Sequence, residues 1–139
     1  MRYFHLELLA CPVCRNTRLL TYVLRERDAS MPESPERVKC RRWCGLYDRP
    51  AESVPLKSCT STCMYREIED GILVCTSCGR WYPVVNGIAV MLDDKYRDER
   101  RDREFLRQAY ERLPEWVRKY MQHPNPEGLL QEDEDKSQS

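Results

Sequence analysis

The sequence has little of what an enzyme active site or a membrane span requires. It contains only two histidines, His5 and His123, and neither lies in a nucleophile motif with a serine or a cysteine. Its five glycines are scattered, so no glycine-rich phosphate-binding loop is present. No apolar run approaches the ~18 residues of a membrane helix. The sequence therefore predicts no catalytic residues, no cofactor-binding loop and no membrane association.

Charge is abundant but balanced. Lys plus Arg and Asp plus Glu number 23 each, so no net field draws the whole chain towards nucleic acid. With 139 residues, 33% charged and 9% aromatic, we expect one domain with a modest apolar core. The first residues lack the long apolar stretch of a secretory signal, so we expect a cytoplasmic protein. In a reducing cytosol, the eight cysteines are more typical of metal ligands than of disulfides.

The strongest signal is a pair of Cys-x-x-Cys motifs, formed by Cys11 with Cys14 and by Cys75 with Cys78. Each has the spacing of a knuckle, a tight turn that directs two thiolates at one metal ion. Four thiolates fill the tetrahedral shell of a structural zinc and leave no open position for a substrate. Iron in a rubredoxin-like site needs the same ligands, and two disulfides or metal-free thiols are further alternatives. The sixty residues between the pairs exceed the usual ribbon spacing, which indicates a split ribbon with an insertion.

The insertion carries a second cysteine quartet. Both of its pairs have the spacing Cys-x-x-x-Cys, within the range of structural zinc sites: Cys40, Cys44, Cys59 and Cys63. A proline-rich segment without its own core gains most from such a cross-link. A second zinc, one or two disulfides and free thiols all remain open at this point.

The coarse pattern predicts an α+β fold: a small zinc-ribbon-like antiparallel sheet on two knuckles, an irregular insertion and C-terminal helices. We expect strands at residues 19–24, 72–74, 81–85 and 88–92, with a turn at Asn86-Gly87. Helical periodicity begins near Asp93, and Pro114 is expected to end one helix and open another. The predicted units are a split ribbon at residues 1–24 and 67–92, the insertion at 25–66, the helices at 93–122 and an acidic flexible tail at 123–139.

The last predicted strand is apolar at every position: Ile88, Ala89, Val90, Met91 and Leu92. A strand of this kind is usually covered on both faces. The chain has little material for both, so either the C-terminal helices or another protein covers one face. We therefore predict that this strand binds a partner.

A basic segment with one aromatic residue lies within the insertion. Arg41, Arg42 and Trp43 stand beside the second quartet, and residues 25–66 hold nine basic and six acidic side chains. Such a patch can hold RNA phosphates and stack a base. The alternative is a solvated loop with an anchored tryptophan.

The segment from Gly71 to Leu92, GILVCTSCGRWYPVVNGIAVML, closely resembles the signature of the small zinc-binding activator subunit of methyltransferases. Leu8 to Cys14 resembles the start of that family, and Arg103 to Met121 resembles the C-terminal helices of its archaeal members. The resemblance covers roughly residues 1–24 and 67–121. The cysteine-rich insertion departs from the family pattern, so its role cannot be transferred.

This resemblance implies a zinc-binding partner without catalytic residues of its own. Such a subunit forms a heterodimer with S-adenosylmethionine-dependent methyltransferases that act on tRNA, rRNA or a translation release factor, and it keeps them soluble and active. It meets RNA mainly through its partner. A stand-alone zinc-ribbon protein that binds nucleic acid in transcription or ribosome assembly is the alternative, and an electron carrier with iron is a third hypothesis.

Overall fold

A four-stranded antiparallel sheet forms the centre of the computed structural model. The structure describes residues 1–29 and 40–137, with the backbone alone for residues 60, 61, 64 and 132–137. The sheet order is β1-β4-β5-β6, so β1 and β6 are its two edges. A separate two-stranded sheet pairs β2 with β3. The strands are β1 (Leu20–Asp28), β2 (Trp43–Cys44), β3 (Arg49–Pro50), β4 (Arg66–Val74), β5 (Trp81–Val85) and β6 (Ile88–Ala89).

The β5–β6 hairpin turns where the sequence predicts it. Asn86 and Gly87 both adopt positive φ, at 52° and 79°, as a two-residue turn of this kind requires. The predicted strand 88–92 is wrong beyond its first two residues, because β6 ends at Ala89. The Val90 N–H still donates to the Pro83 carbonyl oxygen at 2.8 Å. The chain therefore leaves the sheet one hydrogen bond after the end of β6.

Strands β1 and β4 are longer than predicted, with nine residues each. Asp28 pairs with Arg66, and irregularities in register fall on either side of Arg25. The ends of both strands therefore belong to the sheet, although the predicted insertion begins at residue 25 and ends at residue 66. Residues 30–39 of that insertion lie outside the described residues.

The described part of the insertion contains short regular elements, where the sequence predicted mostly loop. Besides β2 and β3, it has α1 (Leu56–Ser61) and two 3-10 helices, Ala51–Ser53 and Cys63–Tyr65. It packs against a further 3-10 helix at the start of the chain, Tyr3–Leu8. The insertion is thus a small lobe attached to the N-terminal segment.

Three helices follow the sheet: α2 (Glu99–Ala109), α3 (Glu115–Arg118) and α4 (Pro126–Ser137). Asp98 caps α2 by accepting a hydrogen bond from the Arg100 N–H at 2.9 Å. Pro114 precedes the first residue of α3 and separates it from the 3-10 helix Tyr110–Arg112, as predicted. Proline suits this place because its fixed φ matches a helix start.

The prediction of a flexible acidic tail is wrong for α4. Pro126 begins this helix, because the Asn125 side chain accepts hydrogen bonds from the N–H groups of Glu127 and Gly128. Leu129 is buried and contributes to the core, which holds the helix against the rest of the protein. Residues 138–139 of the predicted tail lie outside the described residues.

The sheet separates two apolar clusters. The first cluster contains Leu73 and Tyr82 together with Cys11 and Cys75, on the face covered by the N-terminal segment. The second contains Trp81 and the buried faces of the helices; its members are Ile72, Val74, Trp81, Leu106, Leu113, Val117, Met121 and Leu129. The alternation of Trp81 and Tyr82 between the clusters follows from the two-residue period of a strand.

The architecture agrees with the predicted fold class. It is an α+β protein with an antiparallel sheet and cysteine knuckles that lie close together. In the part of the chain that the structure describes, every helix is too short or too polar to cross a membrane.

Candidate metal centre and interaction edge

The first knuckle lies just before β1. The Cys11 carbonyl oxygen accepts a hydrogen bond from the Arg15 N–H at 2.8 Å, and the Cys11 N–H donates to the Asn16 carbonyl oxygen at 2.9 Å. Arg15, directly after Cys14, has φ 66°. These contacts close a tight turn that directs the Cys11 and Cys14 side chains to the same side.

The second knuckle repeats this geometry between β4 and β5. The Gly79 N–H donates to the Cys75 carbonyl oxygen at 2.8 Å, and the Cys75 N–H donates to the Arg80 carbonyl oxygen at 2.8 Å. Gly79, directly after Cys78, has φ 79°. The Gly79 carbonyl oxygen also accepts from the Gln122 N–H at 2.8 Å, which connects this knuckle to the segment between α3 and α4.

The two knuckles bring four sulfurs together. All four Sγ atoms lie within 4.8 Å of one another, with Cys11 and Cys78 at 3.7 Å and Cys14 and Cys75 at 3.3 Å. Sulfurs around a tetrahedral zinc are about 3.8 Å apart, given Zn–S bonds of ~2.3 Å. The four residues therefore fit a structural zinc, for which they supply every ligand.

Burial, hydrogen bonds and neighbouring sulfurs shift the pKa values of these thiols. Burial opposes ionisation of Cys11, but hydrogen bonds from the Tyr82 hydroxyl and the Cys14 N–H outweigh it and lower the Cys11 pKa to about 6. At Cys14 the Asn16 N–H is the largest single influence and favours the thiolate, but the Cys75 sulfur, burial and the Cys78 and Cys11 sulfurs together outweigh it and raise the Cys14 pKa to about 12. Four adjacent thiolates repel one another, so a bound cation would favour full deprotonation.

Two side chains beside the sulfurs were not identified from the sequence. Tyr82 Oη lies 3.2 Å from Cys11 Sγ, and Asn16 Nδ2 lies 3.6 Å from Cys75 Sγ. Hydrogen bonds of this kind orient metal ligands and tune their basicity. The alternation of β5 was an available signal for Tyr82, because it places Tyr82 and Val84 on one face.

Arg97 connects strand β5 to helix α2, and the sequence did not identify it as a structural residue. Its guanidinium lies over the Trp81 ring at 4.7 Å from the centroid and donates to the Trp81 carbonyl oxygen. It also forms a two-pronged ion pair with Asp102, at 3.0 and 3.1 Å, in which both side chains are 8% exposed. The linear sequence gives no signal for this pair, since arginine and aspartate are frequent throughout the surrounding segment.

The second quartet lies in the insertion lobe. Cys40, Cys44, Cys59 and Cys63 line one small cavity together with Phe4 and Val54. Burial is the main cause that raises the pKa of Cys40 to about 12 and that of Cys63 to about 11. Among the described residues, the 4.8 Å grouping holds for the first quartet only, so the sulfurs of the second are more widely spaced.

The basic segment is attached through its backbone. The Glu7 carboxylate accepts hydrogen bonds from the N–H groups of Arg41, Arg42 and Trp43, at 2.9 to 3.3 Å. The Trp43 indole donates to Asp48 at 3.1 Å. The Arg41 and Arg42 side chains are exposed. The sequence did not single out Glu7, because a lone carboxylate in the lead-in has no pattern that pairs it with the insertion.

Arg18 covers one face of the Trp43 ring. Its guanidinium carbon lies 5.1 Å from the ring centroid, a cation–π contact. The Trp43 side chain is therefore held by a hydrogen bond from its indole N–H and by Arg18 on one ring face. Only the other face of the ring is available for stacking on a nucleotide base.

Side chains of the predicted partner-binding segment, residues 88–92, alternate between two faces. Ala89 and Met91 pack against the first apolar cluster. Ile88, Val90 and Leu92 instead line a groove of about 820 Å³ between the β6 edge and α2. Ile88 is 66% exposed and Leu92 is 37% exposed. One face of the segment is thus covered by the protein itself, and the other opens outward.

The groove combines apolar and charged walls. Its apolar side includes Pro83 and Val85, and Phe105 of α2 faces them. Arginines and carboxylates of α2 and the preceding turn line its rim. Among the described strands, β6 pairs with β5 alone, so the groove lies directly beside a sheet edge. Such an edge can accept a further strand through backbone hydrogen bonds.

Fold and site together define a small α+β protein of the zinc-ribbon type, with four thiols arranged as ligands of one structural metal ion. The chain belongs to the Trm112p-like protein family, whose model matches residues 2–87. Both knuckles lie within this match, whereas β6 and the helices α2, α3 and α4 follow it. A comparison with curated proteins found no match. Membership of this family suggests a methyltransferase-activating subunit, in agreement with the resemblance described above.

Proposed function

We propose that this chain is a non-catalytic subunit that binds, stabilises and activates S-adenosylmethionine-dependent methyltransferases. Their substrates would be tRNA, rRNA or a translation release factor, and the complex would be a cytoplasmic heterodimer. The observation that carries the proposal is the unpaired β6 edge beside an apolar groove, in a family linked to methyltransferase activation.

The occupant that suits this surface is an edge strand of the methyltransferase. A strand added beside β6 would extend the antiparallel sheet through backbone hydrogen bonds, which supply affinity. Its side chains would meet Ile88, Val90 and Leu92 in the groove, which supplies specificity. Covering an otherwise exposed apolar surface on both proteins explains why each would keep the other soluble.

The metal would act by fixing the surface in advance. Zinc held by Cys11, Cys14, Cys75 and Cys78 would join the N-terminal segment to the turn between β4 and β5. Strand β5 leads directly into the β6 hairpin, so this cross-link would hold the edge rigid before binding. A rigid edge loses less conformational entropy on binding, which favours a tight complex.

Direct contact with RNA stays a prediction. The exposed Arg41 and Arg42 side chains could reach phosphates of an RNA held by the partner, whereas the contacts of Trp43 favour an anchoring role. No specific observation favours the stand-alone nucleic-acid-binding alternative over the activator.

The test is capture of the partner from the source cell on the tagged chain. We expect methyltransferases to co-purify, and the Ile88→Asp and Val90→Asp variants to lose them, because a carboxylate in the groove opposes burial by a partner strand. Zinc content, measured by native mass spectrometry, should be unchanged in both variants.

Leu8→Asp is a matched control, because Leu8 is 74% exposed and does not line the groove. It should retain the methyltransferase. Full-strength complexes with both groove variants would place the interface elsewhere. Recovery of nucleic acid or polymerase without a methyltransferase would favour the alternative function.

A further inference from the structure

The four cysteines of the insertion converge on one enclosed space. Cys40, Cys44, Cys59 and Cys63 line a cavity of about 10 Å³, whose other walls are Phe4, Gly45, Ala51 and Val54. Three of these cysteines are buried, with Cys44 at 6%, Cys59 at 7% and Cys63 at 6% exposure. A cavity of this size holds about one water-sized occupant, which excludes an organic ligand.

The local elements bring both cysteine pairs of the insertion to one cavity. Cys59 lies in α1, and Cys63 follows four residues later, at the start of a 3-10 helix. Both residues line the same cavity. Cys44 ends β2, and its sulfur accepts a hydrogen bond from the Tyr47 N–H at 3.5 Å, within the turn towards β3. The four thiols thus approach the cavity from two directions, one pair from each.

In the part of the lobe that the structure describes, the apolar core is small. Its own apolar cluster contains three buried residues, Cys44, Val54 and Cys59, of which two are potential ligands. The remaining attachments that the structure describes include the hydrogen bonds from residues 41–43 to Glu7. A segment with so small a core needs a staple, and the binding free energy of a metal becomes folding free energy.

We propose that Cys40, Cys44, Cys59 and Cys63 form a second structural zinc site, separate from the site of the two knuckles. Four soft sulfur ligands without a carboxylate select zinc among the common divalent ions. Once the ion occupies the cavity, four sulfur ligands and the apolar walls leave no open position for water or substrate. The sulfurs move inward onto the ion, because they are more widely spaced than those of the first site. This site fastens the lobe to the N-terminal segment through Phe4.

Native mass spectrometry of the zinc-replete full chain tests this proposal. We expect two zinc ions in the wild type and one in Cys59→Ser. A Cys59→Ser variant that keeps one zinc is still folded at the first site. The loss of the other zinc is then a local effect at the second site and does not result from unfolding of the whole protein. A single zinc in the wild type would overturn the proposal. So would disulfides between the cysteines of the insertion, each of which would lower the mass of the chain by two hydrogens relative to the reduced chain.

Cobalt titration gives a second readout that needs no variant. Co²⁺ added to the reduced, metal-free chain should raise the thiolate charge-transfer absorbance through two equivalents, and through one in Cys40→Ser/Cys59→Ser. Saturation of the wild type at one equivalent would contradict a second site. Neither outcome depends on methyltransferase binding, so this test and that of the proposed function can fail separately.

Discussion

Arg15 and Gly79 occupy equivalent places, each directly after the second cysteine of a knuckle. Both have left-handed backbone conformations, with φ 66° and φ 79°. Glycine adopts this conformation without steric cost, whereas a side chain at Cβ makes it unfavourable. At Gly79 space is also limited, because an added Cβ would lie 2.8 Å from Gln122 Cβ.

Opposite effects are therefore expected from two small substitutions. Gly79→Ala should lower the free energy of unfolding by about 1–3 kcal/mol through backbone strain and crowding. Arg15→Gly should leave it unchanged or raise it by up to ~1 kcal/mol, since relief of strain offsets the greater freedom of the unfolded chain. Denaturant unfolding with zinc at a fixed excess measures both. Equal destabilisation by the two variants would show that the left-handed conformations do not matter.

A second prediction at this scale concerns the buried ion pair of Arg97 and Asp102. Removing one partner of a buried pair leaves an uncompensated charge, which costs about 3–5 kcal/mol. Arg97→Met should therefore be strongly destabilising, and Asp102→Asn should cost less in the Arg97→Met background than in the wild type. Chemical unfolding of the four proteins in this double-mutant cycle measures the coupling.

The exposed pair of Arg107 and Glu104 supplies the control. Its side chains are 47% and 58% exposed, so Arg107→Met should change stability by no more than about 0.5 kcal/mol. A similar loss in Arg97→Met and Arg107→Met would mean that burial gives the Arg97 pair no special importance.

Among elements, the junction of the insertion lobe with the N-terminal 3-10 helix depends on Glu7. Burial disfavours the charged carboxylate, but the N–H groups of Arg42, Arg41 and Trp43 outweigh this and lower the Glu7 pKa. Because the folded-state pKa lies below the ordinary value of 4.5, the stabilisation is complete above that pH. It is lost as the pH falls below 4.5, through the folded-state pKa.

Glu7→Gln should consequently destabilise the protein by about 1 kcal/mol at neutral pH, since it removes charge-assisted hydrogen bonds at a partly exposed site. The difference from the wild type should vanish as the pH falls below 4.5. Thermal unfolding of both proteins across pH measures this difference. Metal release in acid affects both proteins equally, so it does not contribute to the difference between them. Glu52→Gln is a matched control, because Glu52 is an exposed carboxylate of the same lobe, and at neutral pH it should change stability by no more than about 0.5 kcal/mol. A gap between Glu7→Gln and the wild type that persists in acid would exclude the carboxylate charge as its cause.

Elements with a local signal were predictable from the sequence. The spacing of Cys75 and Cys78 predicted a knuckle, and Asn86-Gly87 predicted a turn, because both depend on neighbouring residues alone. Residues 123–139 were predicted to form a flexible tail, yet Pro126 starts α4, since the Asn125 cap and the burial of Leu129 stabilise a helix there. The junction at Glu7 and the pair of Arg97 with Asp102 depend on tertiary contacts, for which one sequence carries no pattern.

For the whole molecule, the four-cysteine cluster of the two knuckles connects parts of the chain that are distant in sequence. Cys11 and Cys78 are 67 positions apart, and their sulfurs lie 3.7 Å apart. Cys11 and Cys75 also belong to the apolar cluster on one face of the sheet. Strands β4 and β5 contribute side chains to the clusters on both faces. Disruption of the metal centre should therefore affect the helices on the opposite face as well.

Chelation of zinc should unfold the protein as a whole and abolish methyltransferase binding, although Ile88, Val90 and Leu92 are unchanged. We expect a loss of several kcal/mol of stability, with restoration on addition of zinc, and a comparable loss in Cys75→Ser. Circular dichroism and thermal unfolding follow the fold, and co-purification follows binding. Ile88→Asp should show the opposite behaviour to metal removal. Its zinc content and melting temperature should equal those of the wild type, but it should no longer bind the methyltransferase. An unchanged fold after complete removal of metal would show that the knuckles do not organise the β6 edge.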